Sequence, residues 1–169
     1  KKTGSILNVF QIATAKELNL FDNNIQLKDK NRTAEVCAHH LWFTDDDYKN
    51  LGSKIKWNPA IKSQNDRDAL WTAINDDRID IIASDHAPHT EEEKNNKYLS
   101  CPSGGPMVQH TILSLLQICK NYGVSIEKIV EKISHNPAII FEINKRGFLR
   151  EDYYADIVLI DPNSSTSVT

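Results

Sequence analysis

The segment Asp80–Ser84 constrains the fold most, because it is short and almost entirely apolar. Strands that are buried on both faces of a parallel sheet have this composition. Ser5–Ile12 and Thr33–Ala38 also have the pattern of strands. Helical patterns lie between these segments, at Ala15–Phe21, from Thr44 onward and at Asn65–Ile74. Strands that alternate with helices predict an α/β fold with a parallel sheet.

The remaining chain adds one long connection, several helices and two more strand patterns. Asp85–Pro106 is polar and longer than most connections, and such loops are usually functional or disordered. The predicted helices are Met107–Tyr122, which Gly123 ends, Ser125–Ile133 and Asn136–Phe141. Strand patterns at Gly147–Leu149 and Ala155–Ile160 follow consecutive helices, so we expect them in a different sheet. About three strand–helix units are present, whereas a closed (β/α)8 barrel needs eight units and about 250 residues.

Composition excludes several classes of partner. The net charge of −3 gives no basic surface for nucleic acid. No apolar run approaches the roughly 20 residues that span a bilayer. The three cysteines are widely spaced and form no CxxC pair, as is typical of free thiols in a reducing compartment. The sequence therefore predicts a cytoplasmic protein that binds neither nucleic acid nor membrane.

Candidate chemistry follows the third predicted strand, in the segment Ile79–Thr90. Asp85, His86 and His89 come after the strand, and the carboxyl ends of parallel strands are where ligands bind. A carboxylate there can bind a metal through one oxygen and accept a proton from bound water through the other. Alternatively, Asp85 only caps a helix and both histidines are surface residues.

Other candidates are weaker, and each has an ordinary structural explanation. His39 and His40 follow the second strand; on extended chain at most one of them faces a site, and a packed structural histidine is the favoured interpretation. Asn58, before Pro59, offers an amide donor and acceptor for an imide or amide edge, or is a turn residue. Ser103–Gly105 presents bare backbone groups to a ligand, or is a plain loop.

Taken together, these segments resemble the dihydroorotase family of the amidohydrolase superfamily. The resemblance covers nearly the whole chain in order. Its motifs are TAKEL (14–18), TAEVCAHHLWFT (33–44), KWNPAIK (56–62), IDIIASDHAPHTEEEK (79–94), PSGGPMVQH (102–110), SHNPA (134–138), and RGF with YADIVLIDP near the end. The DHAPH motif with an NP-containing motif before it is the most specific part.

The resemblance implies a fold and an organisation of domains. Members of the family have a distorted (β/α)8 barrel and a small β-sandwich built from both chain termini. Residues 1–145 would correspond to the last three barrel units, and residues 146–169 to strands of the sandwich.

The resemblance also implies an activity, the zinc-dependent, reversible hydrolysis of dihydroorotate to N-carbamoyl-aspartate in pyrimidine biosynthesis. Asp85 would bind zinc and act as general base and acid. His89 and Asn58 would contact the cyclic amide substrate through their side chains, and Ser103 and Gly104 through backbone groups. His39 and His40 belong to a family motif that does not supply zinc ligands.

Two departures from the family pattern affect these expectations. Gln11 stands where relatives have a zinc-binding histidine, and an amide oxygen is a weak, neutral ligand for zinc. The zinc ligands of the family's earlier strands would precede Lys1. Asp85 alone cannot hold a catalytic zinc, which normally takes about three protein ligands. We therefore expect the isolated chain to be inactive.

Three hypotheses follow. The chain is the C-terminal piece of a dihydroorotase, or a catalytically inactive relative with a scaffold or partner-binding role, or an unrelated small binding domain. A three-unit slice of a barrel would leave open sheet edges and uncovered apolar faces. We therefore expect it to associate with a complementary N-terminal fragment or with another copy of itself.

Overall fold

A three-stranded parallel sheet forms the centre of the computed structural model, which describes residues 4–161 and 163–165. Its strands are β1 (Leu7–Val9), β2 (Arg32–Cys37) and β3 (Ile81–Ala83), in that spatial order. β2 pairs with both neighbours, so the carboxyl ends of all three strands lie at the same edge. The prediction of an α/β fold with a parallel sheet is confirmed. Three strands do not form a closed barrel, so the assignment of this chain to part of a (β/α)8 barrel stays a prediction.

In the part of the chain that the structure describes, seven short α-helices accompany the sheet. They are α1 (Ala38–Trp42), α2 (Tyr48–Leu51), α3 (Gln64–Asn75), α4 (Glu91–Lys94), α5 (Thr111–Ile118), α6 (Ile126–Val130) and α7 (Asn136–Ile140). Short 3₁₀ helices occur at Glu17–Leu20, Leu27–Asp29, Asp45–Asp47, Gly52–Ile55 and Cys119–Tyr122. A π-helical turn, Glu131–His135, joins α6 to α7, so the two helices predicted there form one continuous helical segment. None of the helices in the described residues is long and apolar enough to cross a bilayer.

Side-chain caps explain where the helical segments begin. Ser63 Oγ accepts from the backbone N–H of Asp66, and the Asp66 carboxylate accepts from the N–H of Ser63, which is a capping box at the start of α3. Thr44 and Asp47 form the same arrangement before α2. These reciprocal bonds satisfy N–H groups that lack partners within the helix.

The hydrophobic core lies between the sheet and the helices and is organised around Trp71. This side chain is fully buried, its Nε1–H donates to the carbonyl of Leu41 at 3.0 Å, and its ring stacks on Tyr122 at 5.1 Å. Leu70 and Ile74, on the same face of α3, are also fully buried. The predicted apolar face of this helix is confirmed.

The two strands predicted near the C-terminus are absent from the described residues. Gly147 makes a tight turn against Ala138, and Phe148 stacks on His135 at 4.5 Å, so this segment packs on the end of the helical segment. Val158 is 76% exposed and Leu159 is 94% exposed. A strand needs a neighbour for its N–H and C=O groups, and Ala155–Ile160 has none here. Residues 162 and 166–169 lie outside the described residues, and a domain boundary at 145/146 stays a prediction.

A buried ion pair joins the starts of β2 and β3. Lys30 Nζ donates to Asp80 Oδ1 at 2.7 Å, and the two side chains are only 4% and 3% exposed. Asp80 Oδ2 also accepts from the N–H of Ala34 at 3.0 Å, and the Asp80 carbonyl accepts from Asn136 Nδ2 at 2.8 Å. Asp80 therefore connects both strands to α7.

Replacing this carboxylate should destabilise the fold strongly. Asp80→Asn would leave the Lys30 ammonium buried without a charged partner, which typically costs about 3–5 kcal/mol. The free energy of unfolding, measured by urea denaturation, is expected to fall by that order. Asp46→Asn is the matched control, because it removes an exposed ion pair with Lys49 and should leave the unfolding midpoint unchanged. Equal midpoints for the two variants would show that the buried pair does not stabilise the sheet.

Candidate functional site

The residues that follow the strands lie together at the carboxyl edge of the sheet. Gln11 follows β1 and Asp85 follows β3, and both have left-handed backbone conformations, with φ of 58° and 47°. Residues other than glycine rarely adopt this conformation, and when they do they often mark functional sites. The N–H of Ile12 donates to the Glu35 carbonyl at 2.9 Å, so the chain stays beside β2 after the turn at Gln11.

Asp85 is partly exposed and lies near the end of β2. Burial raises the pKa of Glu35, a hydrogen bond from Asn8 opposes this, and the negative charge of Asp85 raises the pKa further. Asp85 caps no helix, because the next helix, α4, begins at Glu91 and is capped by Thr90. The helix-cap explanation of Asp85 is therefore wrong. Its carboxylate, at the end of β3, is not used to cap a helix.

The two histidines that follow Asp85 have different surroundings. His86 is exposed, and its Nδ1 accepts from the N–H of Val108 at 3.0 Å, so its interpretation as a surface residue is confirmed. His89 is partly exposed, and its Nε2 lies 3.0 Å from the carbonyl oxygen of Ser103. A carbonyl only accepts, so Nε2 of His89 carries a hydrogen. The Nδ1 atom lies 3.6 Å from a carboxylate oxygen of Glu93.

The glycine pair after Ser103 allows very close packing of three chain segments. Gly104 has φ of 119°, and a Cβ there would lie 2.6 Å from Ala87. A Cβ on Gly105 would lie 2.7 Å from the ring of Trp57. Any larger residue would push these segments apart, so the pair has a packing role that the sequence left open.

Backbone and lysine hydrogen bonds hold this loop in place. The N–H of Gly104 donates to the carbonyl of Lys56 at 2.9 Å. The buried Lys94 ammonium donates to the carbonyls of Lys56, Pro102 and Gly104 at 2.9–3.2 Å. The segment that leads into Asn58 is thereby joined to the loop that contains Ser103.

The structure thus brings some of the predicted site residues together and leaves others separate. His89 contacts Ser103, and Gly104 contacts the segment before Asn58, whose side chain is exposed. In the described part of the chain, no hydrogen bond or ion pair joins Asp85 to His89 or Asn58. A common pocket for these three side chains stays a prediction.

A second group of polar side chains, which we call the Cys–His cluster, lies at the end of β2. It consists of Cys37, His39 and His40, all buried, with one potential metal-ligand atom from each lying within 4.8 Å of the others. The expectation that the histidines lie on extended chain and point opposite ways is wrong. They begin helix α1, and their ring centroids are 4.3 Å apart.

Sequence reasoning missed this cluster because it considered the cysteine and the histidines separately. The spacing of the three residues could have predicted the cluster. They span the junction between a strand and a helix, and a helix places neighbouring side chains close together. Burial raises the pKa of the Cys37 thiol far above its usual range, and the charges of Asp85 and Glu35 add to this effect. The thiol is therefore neutral in the metal-free protein.

The cluster should make stability depend on pH. Burial, and then the neighbouring His40, lower the pKa of His39 to about 2, from an ordinary value near 6.5. Between these values the unfolded chain binds a proton that the folded chain does not, so stability is full above pH 6.5 and is lost as pH falls. The slope is about 1.4 kcal/mol per pH unit.

Urea denaturation in the presence of a chelator, at several pH values from about neutral to about 5, tests this expectation. His39→Gln should reduce the pH dependence, leaving the part due to His40, whose pKa burial also lowers, whereas the control His86→Gln, at an exposed histidine, should keep the wild-type slope. A wild-type slope that His39→Gln leaves unchanged would contradict a neutral, buried His39.

Comparison with known proteins identifies the family. The model of the Amidohydrolase family matches residues 10–169. A dihydroorotase of Endomicrobium trichonymphae is 38% identical over 161 residues, which are 94% of this chain and 38% of that protein. A dihydroorotase of Carboxydothermus hydrogenoformans is 33% identical over 171 residues, 100% of this chain and 39% of that protein. The chain thus spans about two fifths of these relatives.

A solved structure agrees in fold. The L-hydantoinase (dihydropyrimidinase) from Arthrobacter aurescens superposes with a TM-score of 0.81 at 23% identity, covering 91% of this chain and 35% of that one. The family match and the dihydroorotase relatives exclude an unrelated small binding domain. A family match that runs from residue 10 to residue 169, with dihydroorotase relatives over most of the chain, shows that this chain belongs to the amidohydrolase family and is a dihydroorotase-like member of it.

Proposed function

We propose that this chain is the C-terminal portion of a cytoplasmic, dihydroorotase-like, zinc-dependent hydrolase. The reaction would be the reversible hydrolysis of the ring amide of dihydroorotate to N-carbamoyl-aspartate, a step of pyrimidine biosynthesis. The observation that supports this most is Asp85, held in a left-handed turn at the carboxyl end of β3 and free of any helix-capping role. A carboxylate at that position can accept a proton from an attacking water and return it to the leaving nitrogen.

The loops beside Asp85 are suited to a small cyclic amide. Asn58, exposed beside the loop, offers both a donor and an acceptor to an amide edge. His89 has its Nε2–H engaged by the Ser103 carbonyl, and Gly104 has its N–H and C=O engaged by Lys56 and Lys94. Substrate contact through the Nε2–H of His89 or the N–H of Gly104 would therefore exchange a hydrogen bond within the protein for one to the ligand, which requires the loop to shift.

The strand-end residues of this chain do not fit a catalytic zinc on their own. Asp85 supplies a carboxylate and Gln11 a neutral amide oxygen, whereas such a site normally takes about three protein ligands. Zinc dependence is therefore proposed for a protein with further strand–helix units, and we assign no zinc-bound step to the residues of this chain.

Exposed apolar side chains beside β1 support such further units. Ile6, Leu7 and Phe10 are 76%, 54% and 62% exposed, and β1 has one unpaired edge in the described sheet. An unpaired strand with apolar neighbours is a template for pairing with another chain. We propose that a complementary N-terminal portion, or a second copy, covers this edge. No feature of the described residues favours a scaffold role over catalysis.

Activity should appear only when the missing units are supplied. The isolated chain is expected to be inactive, whereas a fusion with the N-terminal portion of a dihydroorotase relative should convert dihydroorotate to N-carbamoyl-aspartate. In the fusion, Asp85→Asn should lower kcat by about 10²–10⁴-fold, the usual contribution of a positioned general base. The control is His86→Gln, one residue away and exposed, which should keep kcat within a few-fold. A folded fusion without cyclic amide hydrolysis would refute the proposal.

Metal content in the same fusion tests the importance of Gln11. Gln11→His replaces a weak oxygen donor with an imidazole, so zinc per chain after dialysis should rise, together with kcat. Zinc content is measured by mass spectrometry of the dialysed protein. Gln26→His, a substitution far from the strand ends, is the control and should leave zinc content unchanged. Zinc content that Gln11→His leaves at the level of the control variant would mean that position 11 does not face the metal.

A further inference from the structure

The Cys–His cluster has the composition and the burial of a metal site that differs from the edge at Asp85. Cys37 and His39 are fully buried, and His40 is 3% exposed. Their potential ligand atoms, a thiol sulfur and two imidazole nitrogens, lie within 4.8 Å of one another. A thiolate and two imidazoles form a donor set typical of zinc.

Buried ring nitrogens without hydrogen-bond partners are a second, independent indication of a metal site at the Cys–His cluster. Among the residues that the structure describes, both ring nitrogens of His39 and the Nδ1 of His40 are buried and have no hydrogen-bond partner. Leaving a buried polar group unsatisfied usually costs about 1–3 kcal/mol, so native proteins rarely do so. Each of these two histidines brings one ring nitrogen within 4.8 Å of the Cys37 sulfur, which indicates that something binds there.

The hydrogen bond made by Nε2 of His40 favours a metal ion, rather than a hydrogen-bond donor, as the partner of its Nδ1 atom. His40 Nε2 lies 3.0 Å from the carbonyl oxygen of Pro59, and since a carbonyl only accepts, Nε2 carries the hydrogen. The Nδ1 atom therefore has a lone pair, and in the described part of the chain no hydrogen-bond donor reaches it. Histidines that bind metals usually donate their other N–H to a backbone carbonyl in this way, which fixes the orientation of the ring.

We propose that Cys37, His39 and His40 bind a thiophilic divalent cation, Zn²⁺ in class, at the carboxyl end of β2. Binding displaces the proton of the Cys37 thiol to solvent, and both imidazoles bind as neutral ligands, so one proton is released per ion. The bound thiolate leaves one net positive charge at the site. Bonds of about 2.0–2.3 Å require only a small closure of the three side chains.

The ring of Trp57 makes the site rigid on one side. It stacks on His39 with a centroid distance of 4.5 Å and an angle of 8° between the planes. The site lies at the start of α1, a helix that packs against α3 and α5. An ion there would connect the end of the central strand to the helical layer, which gives it a structural role.

Cobalt titration of the full 169-residue chain tests the proposal. After chelator treatment under reducing conditions, we expect one Co²⁺ to bind per chain, with a thiolate-to-cobalt charge-transfer band that Zn²⁺ abolishes and with the release of one proton. Cys37→Ser should remove the band. The controls are Cys101→Ser and Cys119→Ser, at the other two buried thiols, and both should keep it. A wild-type protein without the band, or a Cys37→Ser variant that keeps it, would overturn the proposal.

X-ray absorption of the wild-type zinc form gives an answer that does not depend on the folding of a variant. We expect a shell of one sulfur and at least two nitrogens, and a shell of oxygen and nitrogen alone would overturn the proposal. Asp85→Asn should keep the cobalt band, because the strand-edge donors Asp85 and Gln11 contain no sulfur. Failure of the fusion to hydrolyse a cyclic amide would therefore leave this result unchanged.

Discussion

The buried Lys30–Asp80 pair is the interaction on which the geometry of the sheet depends. Asp80 binds Lys30 and the N–H of Ala34 through its side chain and Asn136 through its carbonyl, and so fixes where β2 and β3 begin relative to each other. A shift of one residue would turn every side chain of a strand to the opposite face. Because both strands are short, the register set at their beginnings also decides which residues reach the carboxyl edge.

That register places two kinds of chemistry at the same edge. Cys37 pairs with Ala83 across β2 and β3, so the thiol lies near the strand end from which Asp85 emerges. The charges of Asp85 and Glu35 consequently act on the Cys–His cluster. The edge thus has a carboxylate region open to solvent and, behind it, a buried region of sulfur and nitrogen. The first is suited to moving a proton to and from a substrate, and the second to holding an ion.

Local features could be predicted from the sequence, whereas contacts between distant segments could not. The apolar strand within Asp80–Ser84 and the amphipathic helix from Asn65 follow from short-range rules, and the structure confirms them. The surroundings of His39 and His40 come from a later segment of the chain, because His39 stacks on Trp57 and His40 contacts the carbonyl of Pro59. The strands predicted after Gly147 fail for the same reason, because a strand forms only where another strand receives its hydrogen bonds.

At Gln11, the backbone conformation can be separated from the identity of the side chain that would bind a metal. A residue other than glycine in the left-handed region costs on the order of 1–3 kcal/mol, which the surrounding structure must offset. The hydrogen bond from Ile12 to the Glu35 carbonyl contributes to this, and it uses only backbone atoms. The conformation at position 11 therefore does not require a metal or a particular side chain. A glutamine in that turn changes the donor and leaves the backbone that positions it intact.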